Sequence, residues 1–458
     1  MGAVVPANAR STAPSRLGIT LEIGSRTSIA IRLWSKFQLA EYYKSCSILQ
    51  HRDGRPPTLD SQFLSRYDLV NIRASAHSLA RQRRRPVKTA APPNAIVSSP
   101  IRTAARPRSA TIWLWAAAGA ASTFVVLRGL AAWIAGPDFK SSPKGSDPIS
   151  DTKLLALHCF EGAVFAVGLL MLWKYLLRPL VRERTFSFDG MLIVAVLLMY
   201  FYDPLDNYFN YTFSYNAHFL NFASWAREIP GLQAPNQRFF PEPFLVMGGF
   251  YAIFMFGSAV FGCWYMRRVA AQHPGATNLR LFAHLFLVVL VLDTVVENVF
   301  MRTQFAAYPG VVHSLSVFAG KYYQFPLYEP FIIATFCCGM TAIRWFRDDR
   351  GQSMAERGSE TLRLGGRAKK GVTFLAVTGL VHTWFIVGYF VPYNFFALKA
   401  DTFPPMPSFL RAGICGAGTD YACPSGSVPI PHGDSLHITP DDPRLPVDVR
   451  ARQGLSAR

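Results

Sequence analysis

Seven apolar runs of roughly twenty residues lie between residues 111 and 395. A run of that length crosses the ~30 Å hydrocarbon core of a bilayer as a helix. They cover 111–134, 154–177, 191–203, 244–265, 281–301, 330–345 and 372–391. Few folds are open to such a chain, because backbone amides inside a bilayer must find partners within the chain and helices provide them. The expectation is an all-α fold: a polytopic membrane helical bundle of about seven transmembrane helices. The third run is the shortest, bracketed by Asp189 and Asp203.

The charge is unevenly placed. Residues 1–110 contain 18 Lys/Arg against 5 Asp/Glu, which is +13 of the chain's +19. They are rich in Arg, Ser and Pro and read as a disordered basic N-terminal tail beside anionic lipid. A basic excess next to membrane spans marks the cytoplasmic side rather than a nucleic-acid partner. With the tail inside, the inner loops hold 14 Lys/Arg against 7 in the outer ones, or 32 against 7 with the tail included. The N-terminus is therefore expected in the cytoplasm, the transmembrane domain over 111–395, and a flexible C-terminal tail over 396–458 on the outer side. The seven cysteines contain no C-x-x-C pair, so no metal is expected. In the outer tail, Cys415 and Cys423 could close a small disulfide loop or remain free thiols.

Of the two long outer loops, 203–242 and 302–329, the first carries Asp, Asn, Tyr, Trp and Glu in place of flexible filler. Connections of that length are uncommon without a task. In the first, Asp203-Pro204-Leu205-Asp206 has the residues of a helix start, with Asp at the N-cap and Pro at N1. The same geometry would fix both carboxylates beside Asn207 and Asn210, with Tyr211, Tyr215, Asn216 and Trp225 following. Glu242 and Glu329 each precede a proline that opens a span, and Arg302 and Tyr328 adjoin the same mouth.

Asp293 and Glu297 lie four apart within the fifth run, so they share one helical face. Ionisable groups at that depth face the bundle interior and mark function by default. The bland account of the pair is a structural contact with Arg302 or His284. His158 and Glu161 sit three apart in the second run, and His382 lies in the seventh; a satisfied core histidine accounts for each. The sequence holds no Gly-rich phosphate loop, G-x-S-x-G elbow or H-E-x-x-H, and no lysine in the seventh run for a retinal Schiff base.

The run Asp203-Pro204…Asn207-Tyr208…Tyr215-Asn216…Asn221…Ser224-Trp225…Pro230-Gly231 resembles the AveC-like spirocyclases. So do Glu242-Pro243, Arg302-Thr303 with Tyr308-Pro309, and Tyr328-Glu329-Pro330. The resemblance covers about residues 150–395 and assigns no residue a role. It implies a multi-span protein of the bacterial cell membrane. The best-known relatives act in macrolide polyketide biosynthesis, cyclising and dehydrating a dihydroxy-ketone to a spiroketal.

That chemistry needs an acid, a base and a shaped cavity, and no cofactor. Paired carboxylates supply the first two. The resulting expectation is a cyclase or dehydratase acting on an apolar, oxygenated small molecule, in contact with membrane lipid. Its catalytic residues would be Asp203, Asp206, Asp293 and Glu297, with Glu297 as proton donor and Asp206 as base, in a cavity opening to the outer face. Substrate-binding residues would be Asn207, Asn210, Tyr211, Tyr215, Asn216, Trp225, Glu242, Arg302, Tyr328 and Glu329. A transporter, a noncatalytic membrane partner of a lipid or polyketide pathway, and a terpenoid-type membrane cyclase stay open, as does the oligomeric state. The charge asymmetry predicts that reporter fusions after Arg357 and after Asp442 report opposite sides of the membrane; the same side for both would refute the orientation.

Overall fold

The computed structural model describes residues 109–430 apart from 417, 418, 420 and 427. The basic tail expected over 1–110 lies outside these residues, except for its last two. The described chain is mostly helical. Its principal helices are α1 (Ser109–Ala135), α2 (Asp151–Arg182), α3 (Phe188–Asn207), α4 (Phe244–Gln272), α5 (Asn278–Thr303), α6 (Tyr328–Trp345) and α7 (Gly366–Ala397). Six of these helices are long and apolar enough to cross a membrane. The exception is α6, expected as a span from 330–345; its 18 residues are shorter and less apolar than the rest.

Side chains start the helices as their caps require. Ser150, Ser187 and Thr277 each accept the backbone N–H three residues on, opening α2, α3 and α5. The expectation for Asp203 is corrected here: it does not cap a new helix. The chain continues α3 through a 3-10 segment, Tyr200–Asn207. Pro204 has no N–H to donate to the preceding turn, and the winding tightens instead of stopping. At the other end of α3, Arg344 of α6 forks onto Asp189, with both bonds at 2.9 Å.

Helices α2, α4 and α7 each contain one π-helical turn, at Trp173–Leu177, Tyr251–Phe256 and Ile386–Phe390. Glycines set the closest crossings. A Cβ at Gly119 of α1 would lie 1.8 Å from the Leu375 carbonyl oxygen of α7, and one at Gly379 would lie 2.0 Å from that of Trp115. Gly168 of α2 meets Gly249 of α4 in the same way. Small residues that let two backbones touch are how apolar helices gain packing energy without a hydrophobic drive between them. One further tie is polar. Tyr202 and His382 both bond Ser122 of α1, and His382 Nε2 meets the Ala195 carbonyl at 2.8 Å. His382 is thus a satisfied core histidine joining α1, α3 and α7.

At one end of the bundle the loops form a cap. Three two-residue antiparallel pairs organise it: β1 (Ser214–Tyr215) with β4 (Ala306–Ala307), β2 (Phe222–Ala223) with β3 (Pro241–Glu242), and β5 (Ser316–Val317) with β6 (Phe325–Pro326). The first pair joins the two long loops. Over them lies the stretch 399–416, whose Phe403, Phe409, Leu410 and Ile414 are buried against Tyr211, Ala217 and Phe240. The described part of the expected flexible tail is therefore packed, because its apolar residues cover the loops. Cys415 and Cys423 are joined by a disulfide within it.

The glycine crossing can be tested with a matched pair. Gly119→Leu should force α1 and α7 apart and lower the thermal unfolding midpoint in detergent, overpacking of this kind costing about 1–3 kcal/mol or more. Gly162→Ala, where an added Cβ meets nothing within 4 Å, should leave the midpoint unchanged or raise it. Equal effects of the two changes would show that the contact is not limiting.

Candidate functional site

Beneath the cap, helices α2 to α7 and both long loops line a cavity of about 70 Å³. Its walls are mainly phenylalanine and tyrosine, and five carboxyl groups reach it: Asp203, Asp206, Asp293, Glu297 and Glu329. Among the described residues, no lysine, arginine or histidine lines it. The bland alternative, a contact of Asp293 and Glu297 with Arg302 or His284, is absent from the bonds of the described residues; Arg302 is exposed and lies over the rings of Phe318 and Tyr323.

Phenols take the place of cations. Tyr215 and Tyr251 donate to the two oxygens of Asp203 at 2.8 and 2.9 Å. Tyr308 donates to Glu297 Oε2 at 3.1 Å. The Tyr389 hydroxyl lies against the Asp206 carboxyl, whose Oδ1 is buried with no hydrogen-bond partner. Asp293 and Glu329 face each other within hydrogen-bonding reach. That contact needs one proton between them, since as two carboxylates Asp293 Oδ2 and Glu329 Oε2 would both be buried and unpartnered.

These groups come from distant parts of the chain for local reasons. The 3-10 winding places Asp203 and Asp206 three apart on one face. On α5, Asp293 and Glu297 share a face one turn apart. Glu329 sits in the first turn of α6, beside Pro330. Tyr251 and Tyr389 both stand on π-helical turns. Those two phenols and Tyr308 were not among the expected site residues. The available signal was a tyrosine inside an apolar run, whose hydroxyl must find a partner when buried.

Several expected binding residues serve the scaffold instead. Asn207 accepts the N–H groups of Thr212 and Phe213 and donates to the Phe213 carbonyl, closing the turn after α3. Asn210 donates to the Ala397 carbonyl and Tyr211 to that of Pro235. Asn216 donates to the Gln304 carbonyl at 2.8 Å, tying the two loops together. Trp225 is fully buried and donates to the Phe201 carbonyl, and Tyr328 stacks on Phe396 with centroids 4.1 Å apart. Outside the set, Glu161 accepts from the Leu220 N–H at 3.0 Å and bonds His158, so that pair anchors a loop.

Glu242 lies just behind the main cavity, in a smaller one that it shares with Asp203 and Asp206. It is buried, with the Tyr200 hydroxyl 3.5 Å away. Burial first, and then the neighbouring Asp203, push its carboxyl well above the usual range. A raised carboxyl binds its proton more tightly folded than unfolded, so stability falls as pH rises from the ordinary carboxyl value of about 4.3 towards the raised one. Glu242→Gln removes this liability and should gain unfolding midpoint relative to the parent at pH 8 but not at pH 4. An unchanged difference across that range would mean that Glu242 is ionised in the folded protein.

No curated protein and no solved structure matches the chain. Residues 183–409 match a family model described as spirocyclase, AveC-like. This segment begins just before α3 and ends in the capping stretch, leaving α1 and α2 outside. All five cavity carboxyls and the four phenols beside them fall within it. Over this segment, just under half of the chain, the protein is similar to the AveC-like spirocyclase family.

Proposed function

We propose that the protein is a membrane-embedded, cofactor-free cyclase that closes an apolar hydroxy-ketone to a cyclic hemiketal, and in the fullest case a dihydroxy-ketone to a spiroketal and water. The observation that carries this reading is the set of five carboxyls, with phenols and no cation, in one apolar-walled cavity.

The chemistry divides between the two sides of the cavity. A protonated Glu297, one turn nearer the cap than Asp293, gives its proton to the ketone oxygen. Asp206, whose Oδ1 has no other partner, takes the proton of the attacking hydroxyl, and a hemiketal forms. Protonation of the hemiketal hydroxyl then releases water and leaves an oxocarbenium ion. A second hydroxyl closes on that carbon and returns its proton to a carboxylate. Nearby carboxylates and ring faces favour the cation. Asp203, accepting from two phenols, is fixed as an electrostatic partner. Loss of water without the second closure would make the same site a dehydratase.

We place all seven helices in a bacterial cell membrane. An 18-residue α6 reaches roughly 27 Å, close to the bilayer core, and α4, α5 and α7 flank it. The basic connections lie at the end away from the cap, so that end is assigned to the cytoplasm. The disulfide in the cap fits an oxidising outer side.

The test is turnover of a synthetic dihydroxy-ketone by the protein in membranes. Glu297→Gln and Asp206→Asn should each lower the rate by ~10²–10⁴-fold, the contribution of a positioned acid or base. Substitution of a scaffold group, Asn216→Ser, should act through stability alone. Full turnover by both carboxyl variants in assembled protein would refute the assignment, and absence of any ring closure by the parent would refute the cyclase reading.

A further inference from the structure

The cavity must exchange its contents, and the cap leaves little room for that on the outer side. Phe213, Tyr215, Phe305, Ala306 and Tyr308 of the two loops line the cavity. The β1–β4 pairing holds those loops together, and the turn Ser408–Arg411 covers β1, with the Phe409 carbonyl accepting from the Ala217 N–H. Opening this side would break two layers of backbone hydrogen bonds.

The side wall between α2 and α5 is built differently. Helix α2 packs on the outer half of α4 through Gly168 and Gly249, whereas α5 packs on α6 and on the inner half of α4. The outer halves of α2 and α5 therefore meet beside the cavity through side chains rather than through close backbone packing. At the rim, Lys153 Nζ of α2 bonds Gln304 Oε1, at the C-cap of α5, at 2.7 Å. Below this bond the gap is filled by rings. Phe160 of α2 meets Phe300 of α5 at 5.4 Å and Phe305 at 5.0 Å, and Phe250 of α4 meets Phe300 at 6.2 Å. All four rings line the cavity and all are only half-buried. Exposed apolar side chains flank the seam, Leu155 on α2 and Val295 and Val299 on α5, so in a bilayer it faces lipid tails.

We propose that this seam is a lateral portal, through which an uncharged, lipid-dissolved molecule passes between the bilayer and the carboxyl cavity when the four phenylalanines swing aside. The occupant follows from the lining. Lipid tails deliver only solutes without net charge, and five carboxyls with no cation repel carboxylates and phosphates. Moving rings between rotamers breaks no hydrogen bond, unlike opening the cap. The inference rests on the membrane placement above, and its test does not depend on turnover.

The probe position is Ile333, a cavity-lining residue of α6. Ile333→Cys protein is reconstituted in phosphatidylcholine vesicles, with the parent chain and its native cysteines as background. It is treated with bilayer-partitioning N-(1-pyrenyl)maleimide or with the charged, water-borne 2-sulfonatoethyl methanethiosulfonate. The maleimide should modify Cys at 333 in preference to the charged reagent. Adding Phe160→Ala should make the maleimide reaction about tenfold faster, equivalent to ~1.4 kcal/mol of barrier, and Phe160→Leu should give a smaller gain. Entry by the charged reagent at an equal rate, a rate indifferent to both Phe160 changes, or no modification by either reagent would each overturn the portal. Should Phe160→Ala fail to assemble, Phe160→Leu decides. Labelling as expected without any ring closure would keep the portal and discard the cyclase.

Discussion

Carboxyl groups enclosed by apolar side chains without a cation beside them are what the rest of this structure has to accommodate. An isolated carboxylate in such surroundings loses several kcal/mol of hydration. The chain offsets the loss with phenols: Tyr215 and Tyr251 on Asp203, Tyr308 on Glu297, Tyr389 beside Asp206. Phenols donate a hydrogen bond without bringing a fixed charge, so proton transfer within the cavity is not opposed by a permanent ion pair. Asp293 and Glu329, facing each other, would reach a similar result with one proton between them.

Such a cavity is stable only with its outer end closed to bulk water. This explains why the long loops are ordered around backbone-binding side chains. Asn207, Asn216 and Asn221 each satisfy two or more backbone groups of irregular chain, as buried loop backbone requires. The cap and the helices are thus coupled. Loosening the loops would hydrate the carboxyls, and shifting a helix would pull a phenol from its acid.

The helical class, with six helices long and apolar enough to cross a membrane, was legible because bilayer length and hydrophobic runs are set by the same dimension. So was the α5 pair, since a spacing of four has one meaning on a helix, and Asp203 and Asp206 stood out as acids beside a span. The loop residues were less readable. Asn and Trp suit ligand binding and backbone satisfaction equally, and only tertiary contacts assign Asn207, Asn210, Asn216 and Trp225 to the second. The meeting of Glu329 with Asp293 depends on how α5 lies against α6, which no local pattern encodes. Arg302 was misplaced because a cation at a helix end turns as readily onto exposed rings as into a cavity.

The wide turns at Tyr251–Phe256 and Ile386–Phe390 have a consequence for how this site is inherited. A π-helical turn amounts to one extra residue in an α-helix, and it puts the two halves of the helix about 100° out of phase. In α4 the outer half faces α2 while the inner half faces α6, and the change of partner falls at this turn. Residue counting along a regular wheel therefore misassigns every position beyond it. Loss of one residue within either turn would restore a regular helix and rotate a phenol off its carboxyl, while leaving hydropathy almost unaltered. Among related chains, length across these two segments is a more informative trait than the identity of most residues within them.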